Sequence, residues 1–156
     1  MAELLLLYPK RPTMKAPLSV LIIDDDPDMC HLLKQILSHK KIHAATAHNL
    51  EEGLHCLKET RPAVVFLDNN LPDGSGVNFI KKIKSFDPSI KVIMITGDTV
   101  NGLKEVALKN GAHSFLPKPF SYELIDKAVE SVRGLSLAAI ISFPLLAAFS
   151  FFSESA

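Results

Sequence analysis

Net charge is absent from this chain of 156 residues, which has 17 Lys and Arg against 17 Asp and Glu. Broad electrostatic binding of nucleic acid needs an excess of positive charge, so this balance argues against direct nucleic-acid binding. Cysteine is scarce, and Cys30 and Cys56 lack the spacing of a metal motif. We interpret both as small buried thiols of a reducing, cytoplasmic environment.

Residues 1–17 differ from the middle of the chain. They contain a short apolar run, Leu4–Tyr8, with its positive charges after it rather than before it. A secretory signal has the opposite order and a longer apolar region. We therefore expect a loosely structured leader over residues 1–17.

Residues 135–156 form a hydrophobic tail. From Gly134 to Ser153 the sequence has no charged residue. Residues 135–152 approach the minimum length of a membrane span, but Pro144 and three serines interrupt the segment. Four alternatives stay open for the tail. They are membrane contact through residues 135–152, which would make the protein membrane-associated, packing on its own domain, packing on a second copy in a homodimer, and an irregular extension without a packed structure.

Between residues 18 and 134, short apolar runs alternate with stretches that have apolar residues at helical spacing. The predicted strands are Val20–Ile23, Ile42–Ala47, Ala63–Leu67, Lys91–Thr96 and His113–Pro117. The predicted helical stretches are Pro27–Lys40, Asn49–Thr60, Val77–Phe86, Thr99–Asn110 and Ser121–Gly134. The strand runs are continuously apolar, as in parallel strands that are covered on both faces. The pattern predicts an α/β fold, a doubly wound five-stranded parallel sheet with helices on both faces.

Polar residues follow the ends of these predicted strands, where the functional cleft of such a sheet lies. Asp24 and Asp25 follow the first strand and Asp68 follows the third. Thr96 ends the fourth strand, and Lys118 follows the fifth. Clustered carboxylates need a cation, and a hard divalent ion such as Mg²⁺ prefers oxygen ligands. With a lysine and a hydroxyl beside them, these residues predict a phosphoryl-group site in which an aspartate can be the nucleophile.

Four motifs carry these residues in order: LIIDDDPDM, VVFLDNNLPDGSG, VIMITGD and FLPKPF. Together they resemble the receiver domain of two-component response regulators, the CheY-like fold, over residues 19–134. The resemblance implies the flavodoxin-like strand order 2-1-3-4-5 and a signalling domain rather than an enzyme. It also implies a stand-alone receiver that accepts a phosphoryl group from a sensor histidine kinase or a histidine phosphotransfer protein. The output would be a phosphorylation-dependent contact with a downstream protein target.

The resemblance assigns the acidic residues to roles. Asp68 would be the phosphoacceptor. The Mg²⁺ ligands would be Asp24, Asp25, Asp68 and the backbone carbonyl of Asn70, with Asp24 acting mainly through water. Asn70 also occupies the position two residues after the phosphoacceptor, which tunes autodephosphorylation in the family.

The resemblance assigns further roles outside the acidic cluster. Thr96 and Lys118 would contact phosphoryl oxygens, and the peptide bond before Pro119 would be cis. Phe115 would be the switch aromatic that turns inward when Thr96 moves toward the phosphoryl group. Asp98, two residues after that threonine, occupies a second position that tunes autodephosphorylation.

Two other functions fit parts of the sequence. A hydrolase of the haloacid-dehalogenase type also forms an aspartyl phosphate with Mg²⁺, and Asp24 and Asp26 have the separation that its nucleophile and acid need. That class needs more chain than this one has, and it would be labelled at Asp24 rather than Asp68. A pseudo-receiver would be an interaction module that never carries phosphate.

In the receiver interpretation, Asp26 does not belong to the acidic pair. We expect Asp26 and Asp28 to cap the first helix, with Pro27 in its first turn.

Overall fold

The computed structural model describes residues 17–98 and 100–134. The strands are β1 (Val20–Ile23), β2 (Ala44–Ala47), β3 (Val64–Leu67), β4 (Asn70–Leu71), β5 (Gly74–Ser75), β6 (Lys91–Thr96) and β7 (Ser114–Pro117). The helices are α1 (Pro27–His39), α2 (Leu50–Thr60), α3 (Gly76–Phe86), α4 (Leu103–Lys109) and α5 (Tyr122–Arg133). The predicted tail, and the predicted leader apart from residue 17, lie outside the described residues. None of the helices in the described part of the chain has the length and apolarity to cross a bilayer.

Five of the strands pair in parallel in the order β2-β1-β3-β6-β7, and β4 and β5 form a separate antiparallel pair. Counted along the chain, the five parallel strands have the predicted order 2-1-3-4-5. Ile23 at the end of β1 is in register with Leu67 at the end of β3. The residues that follow these two central strands are therefore neighbours at the carboxyl edge of the sheet.

Both faces of the sheet are buried, which is why the strand sequences are continuously apolar. In β1, Leu21 and Ile23 belong to a core cluster that includes residues of α2, α3 and α4. The alternate residues Val20 and Ile22 belong to a second cluster that includes residues of α1 and α5. The predicted doubly wound arrangement is confirmed.

Helix α1 begins as the sequence predicts. Asp26 is its N-cap, and the carboxylate Oδ1 accepts hydrogen bonds from the backbone N–H groups of Asp28 (2.9 Å) and Met29 (3.4 Å). Pro27 is the first helical residue, a position where its fixed φ is compatible with the helix. Asp26 therefore points toward a helix start rather than into the acidic cluster.

Helix α4 is shorter than predicted. The sequence predicts a helical stretch over Thr99–Asn110, whereas α4 begins at Leu103. Gly102 before it has a φ of 85°, in the left-handed region, and the N–H of Leu103 donates to the carbonyl of Val100. The residues before Leu103 therefore form a turn that leads into the helix, and the predicted start was wrong.

Strand β2 also begins later than predicted, at Ala44 rather than Ile42. Lys41 has a left-handed φ of 57°, and the N–H of Ile42 donates to the carbonyl of Leu37 in α1. The backbone of Ile42 thus completes the end of α1, although its side chain is buried among the core residues that α1 contributes. Hydrophobic pattern alone does not distinguish an apolar residue that begins a strand from one that follows the end of a helix.

Candidate functional site

The predicted site residues meet at the carboxyl edge of the sheet. Asp24, Asp68 and Thr96 are buried, with exposed fractions of 2%, 7% and 1%. Parallel strands bring these residues together because their ends share one edge of the sheet. Asp25 is exposed beside them, and Lys118 lies half-buried after β7.

Three acids form a cluster of oxygen donors. Asp24, Asp25 and Asp68 each offer a carboxylate oxygen, and these atoms all lie within 4.8 Å of one another. Carboxylates this close repel unless a cation lies among them. An all-oxygen donor set at the carboxyl edge of the sheet fits a hard divalent ion such as Mg²⁺. Asn70, whose carbonyl the resemblance adds to this set, lies two residues after Asp68 at the start of β4.

Lys118 is the cation that the structure places against these acids. Its Nζ lies 2.7 Å from Oδ2 of Asp24 and 3.7 Å from Oδ1 of Asp68. Burial alone would lower the pKa of Lys118, but the hydrogen bond and charge of Asp24 outweigh that effect and raise it. The lysine therefore stays charged. Its backbone N–H donates to the carbonyl of Thr96, and its peptide bond to Pro119 is cis, as the resemblance implies.

The environment of Asp68 makes its carboxylate more basic. Burial is the main cause that raises the pKa of Asp68, and the charge of Asp24 adds to it. Lys118 opposes this effect, as do hydrogen bonds from the backbone of Asn69 and the hydroxyl of Thr96. A carboxylate that is partly desolvated but held beside an ammonium group suits attack on an electrophilic phosphorus.

Asp24 is held in place by contacts on several sides. Its Oδ1 accepts the N–H of Asp26 at 3.0 Å, and its own N–H donates to the carbonyl of Ala47. Its carbonyl accepts the thiol of Cys30 at 3.3 Å. Burial raises the pKa of that thiol to about 11, so Cys30 is an un-ionised buried thiol beside the acids. The predicted buried role of Cys30 is confirmed, whereas Cys56 is half-buried.

Phe115, the predicted switch aromatic, lies on β7 and is half-buried. It is in register with Met94 of β6. Its ring packs against the core cluster that includes Ala107 of α4. The ring of Phe115 therefore lies between the sheet and α4. Its register partner Met94 comes two residues before Thr96 in β6.

Sequence reasoning missed two residues that shape the site. Asn69 is a buried polar residue, 7% exposed, directly after the predicted phosphoacceptor. Gly76 begins α3 so close to Asp68 that a Cβ atom there would lie 1.9 Å from the Asp68 carbonyl oxygen. The motif VVFLDNNLPDGSG contains both residues, but its letters indicate a turn and not these contacts.

Comparisons with known proteins agree with this geometry. A family model described as the response regulator receiver domain matches residues 20–130. The chemotaxis protein CheY of Thermotoga maritima is 32% identical over 114 residues, which cover 72% of this chain and 95% of CheY. The probable transcriptional regulatory protein TcrX of Mycobacterium tuberculosis is 30% identical over 119 residues, which cover 76% of this chain but 50% of TcrX.

A solved structure agrees as well. The solution structure of the beryllofluoride-activated NtrC4 receiver domain dimer has a TM-score of 0.70 and 38% sequence identity. That match covers 73% of this chain and 94% of the NtrC4 receiver chain. This chain thus spans about half the length of TcrX but nearly all of CheY and of the NtrC4 receiver. From its fold, its acidic site and these matches, the chain belongs to the response regulator receiver domain family, the CheY-like signalling domains of two-component systems.

Proposed function

We propose that Asp68 accepts a phosphoryl group from a phosphohistidine of a sensor histidine kinase or a histidine phosphotransfer protein. The observation that carries this proposal is the surroundings of the Asp68 carboxylate. It lies within 4.8 Å of oxygens of Asp24 and Asp25, and 3.7 Å from the Lys118 ammonium group. Acids and a cation around one carboxylate suit phosphoryl transfer, in which positioning and charge neutralisation supply most of the catalysis.

The residues act on the transferred group as follows. A carboxylate oxygen of Asp68 bonds to phosphorus while the phosphorus–nitrogen bond of the donor breaks and its electron pair stays on the histidine nitrogen. Lys118, oriented by Asp24, offsets the negative charge of the phosphoryl oxygens. The hydroxyl of Thr96 supplies a hydrogen bond at the same edge of the sheet. Mg²⁺ would be held by Asp24, Asp25, Asp68 and the carbonyl of Asn70, and it supplies further charge neutralisation when bound.

The proposed output is a protein contact on the face formed by α4, β7 and α5. Phosphorylation would draw Thr96 toward the phosphoryl group and let Phe115 turn further inward. Apolar side chains are already exposed on α4, where Val106 and Leu108 have exposed fractions of 45% and 44%. A downstream protein target is the proposed partner of this face, and a second copy of the chain in a homodimer is the alternative.

We propose that the signalling unit is residues 18–134 and that it acts alone in the cytoplasm. A leader over residues 1–17 and an apolar tail over residues 135–156 would extend it. Cell fractionation of the full chain and of a chain that lacks residues 135–156 tests the tail. Membrane contact predicts that the full chain alone sediments with membranes, and equal distribution of the two proteins contradicts it.

Labelling with acetyl phosphate tests the phosphoacceptor. The full chain should be labelled in the presence of Mg²⁺ and not after chelation, and Asp68→Asn should not be labelled. Asp87→Asn is a matched control, because Asp87 ends α3 at the opposite edge of the sheet. It should be labelled like the wild type. Mass spectrometry of tryptic peptides then locates the label.

The other two functions predict different results. A dehalogenase-type hydrolase would retain its label in Asp68→Asn and carry it on Asp24. A pseudo-receiver would take no label from acetyl phosphate or from candidate kinases, and its partner binding would survive Asp68→Ala. Label at Asp68 that requires Mg²⁺ rules out both alternatives.

A further inference from the structure

Asparagine is followed by glycine at two places in this chain, Asn101–Gly102 before α4 and Asn110–Gly111 after it. Asparagine is a chemically labile residue, and its side-chain amide can be attacked by the backbone nitrogen of the next residue. Glycine favours this attack, because it has no side chain to shield its nitrogen and its backbone adopts many conformations. The two pairs are identical in sequence, so a difference in their reactivity must come from the structure.

The first pair is exposed and its reacting groups are unbonded. Asn101 and Gly102 lie in a turn that is closed by a hydrogen bond from the N–H of Leu103 to the carbonyl of Val100 at 3.2 Å. Gly102 has the left-handed φ of 85° that the third residue of a type II turn requires, and a Cβ atom there would meet nothing within 4 Å. In the part of the chain that the structure describes, neither the side-chain amide of Asn101 nor the N–H of Gly102 has a hydrogen-bond partner.

The second pair is held at both reacting groups. Asn110 follows the last residue of α4, and its Nδ2 donates to the carbonyl of Val77 in α3 at 2.8 Å. The N–H of Gly111 donates to the carbonyl of Leu108 at 3.0 Å. A Cβ atom built on Gly111 would lie 3.2 Å from Cγ of Lys84, so this glycine is also crowded. Attack of the Gly111 nitrogen on the Asn110 amide requires both hydrogen bonds to open first, which lowers its rate.

We propose that Asn101 is a site of spontaneous covalent modification, at which the side chain cyclises onto Gly102 and then opens to aspartate or isoaspartate. The backbone nitrogen of Gly102 bonds to Cγ of Asn101 and gives up its proton, while the bond from Cγ to the amide nitrogen breaks and ammonia leaves. Water then adds to one of the two carbonyls of the succinimide ring, the carbon–nitrogen bond at that carbonyl breaks, and the nitrogen regains a proton. Opening at Cγ gives aspartate. Opening at the backbone carbonyl gives isoaspartate, in which the main chain runs through the former side chain.

Both products change the turn that leads into α4. Each adds a negative charge at neutral pH, and isoaspartate also adds a methylene group to the main chain. The hydrogen bond that closes the turn is followed by one from the N–H of Val106 to the carbonyl of Gly102 at 3.0 Å. A longer main chain between Val100 and Leu103 separates the partners of the closing bond, so the isoaspartate form should lose it. This inference holds whether or not Asp68 accepts phosphate.

Peptide mapping of the aged protein tests the modification. The full chain is incubated in mildly alkaline buffer, and samples are digested with trypsin under mildly acidic conditions that suppress further reaction. The two asparagines then lie in separate peptides, Val92–Lys104 and Asn110–Lys127. Mass spectrometry detects the exchange of NH₂ for OH, and chromatography separates the aspartate and isoaspartate peptides. The same incubation in urea measures the reactivity that the sequence alone gives. Asn101→Gln is the control, because its longer side chain cannot form the same ring.

In the folded protein, Asn101 should be modified at least about tenfold faster than Asn110, since two hydrogen bonds protect the second pair. In urea the two rates should agree within about threefold, because the unfolded chain exposes both pairs. The peptide that contains residue 101 should stay unmodified in Asn101→Gln. Equal rates for the two asparagines in the folded protein overturn the proposal. An Asn101 that stays intact in the folded protein also overturns it, whether or not the residue reacts in urea.

Amide hydrogen exchange, followed by NMR, tests the effect on the turn. The isoaspartate form is separated by ion-exchange chromatography and identified by its peptide map. Its Leu103 amide should exchange about fivefold faster than in the unmodified protein, because a hydrogen bond is lost. Asn101→Asp carries the charge without the longer main chain, and its Leu103 amide should exchange at the wild-type rate. Unchanged exchange in the isoaspartate form, or equal acceleration in Asn101→Asp, refutes the loss of the closing bond through the longer main chain.

Discussion

Replacing Gly76 by alanine has two opposite effects on stability, because alanine favours the helix but its Cβ does not fit beside Asp68. Gly76 is the first residue of α3, and alanine is a better helix former than glycine by up to about 1 kcal/mol. On propensity alone, the substitution would leave the protein equally stable or more stable. The structure predicts the opposite result, because the new Cβ would lie 1.9 Å from the carbonyl oxygen of Asp68.

The size of the effect follows from what surrounds that contact. Real Cβ contacts stay above 3.0 Å, so about 1 Å of movement is needed, and the obstructing atom belongs to the backbone. Both partners are anchored, since the N–H of Asp68 donates to the Ile23 carbonyl at 2.9 Å and the N–H of Gly76 donates to the Asn69 carbonyl at 2.8 Å. Overpacking and a weakened hydrogen bond together predict a loss of about 3 kcal/mol in the free energy of unfolding.

Urea unfolding of the two proteins measures this difference. The chain has no tryptophan, so far-UV circular dichroism is the suitable signal. Gly97→Ala is the matched control, because a Cβ there would lie 3.8 Å from Cβ of Lys118, an ordinary contact. The control should stay within about 0.5 kcal/mol of the wild type. If Gly76→Ala proves as stable as wild type with the same dependence on urea, the close approach of α3 to Asp68 is wrong.

Two further substitutions test the charged groups of the acidic cluster and of the α2 start. Asp24 is only 2% exposed, and Lys118→Met leaves its carboxylate without the ammonium group beside it. The substitution should therefore lower the free energy of unfolding by about 3 kcal/mol in the absence of Mg²⁺. Added Mg²⁺ should restore part of that loss, and a variant indifferent to Mg²⁺ would argue against these acids as its ligands. Hydrogen bonds from the N–H groups of Leu50 and Glu51 lower the pKa of Asp73 from its ordinary 3.8. The stability that these hydrogen bonds contribute is fully present above pH 3.8 and is lost as the pH falls through the lowered pKa of Asp73. The free energy of unfolding of Asp73→Asn should therefore fall less than that of the wild type when the pH drops below 3.8. Parallel pH–stability curves for the two proteins would show that Asp73 does not accept these two hydrogen bonds in solution.

Hydrophobic pattern predicted the strands better than the chain between them. The predicted bounds Val20–Ile23 and Lys91–Thr96 agree with β1 and β6. All of β1 and all of β6 except Lys91 are buried, and strands covered on both faces need apolar residues at most positions. The start of α4 could not be predicted in the same way. Helix α4 starts after Gly102, whose backbone is left-handed. Glycine can adopt this conformation but also adopts others, so its presence in the sequence does not predict where the helix begins.

The sequence by itself determined the fold class and predicted that Asp24, Asp68 and Lys118 lie together at one edge of the sheet. Parallel strands end at one edge of a sheet, so residues that follow strands in the sequence must meet there. Tertiary structure alone decided the contacts of Asn69 and Gly76. The partner of Asn69 is Asp98, 29 residues away, and the obstacle to a larger residue at Gly76 is a backbone oxygen. Such contacts depend on how two loops approach each other, and no periodicity in the sequence records that distance.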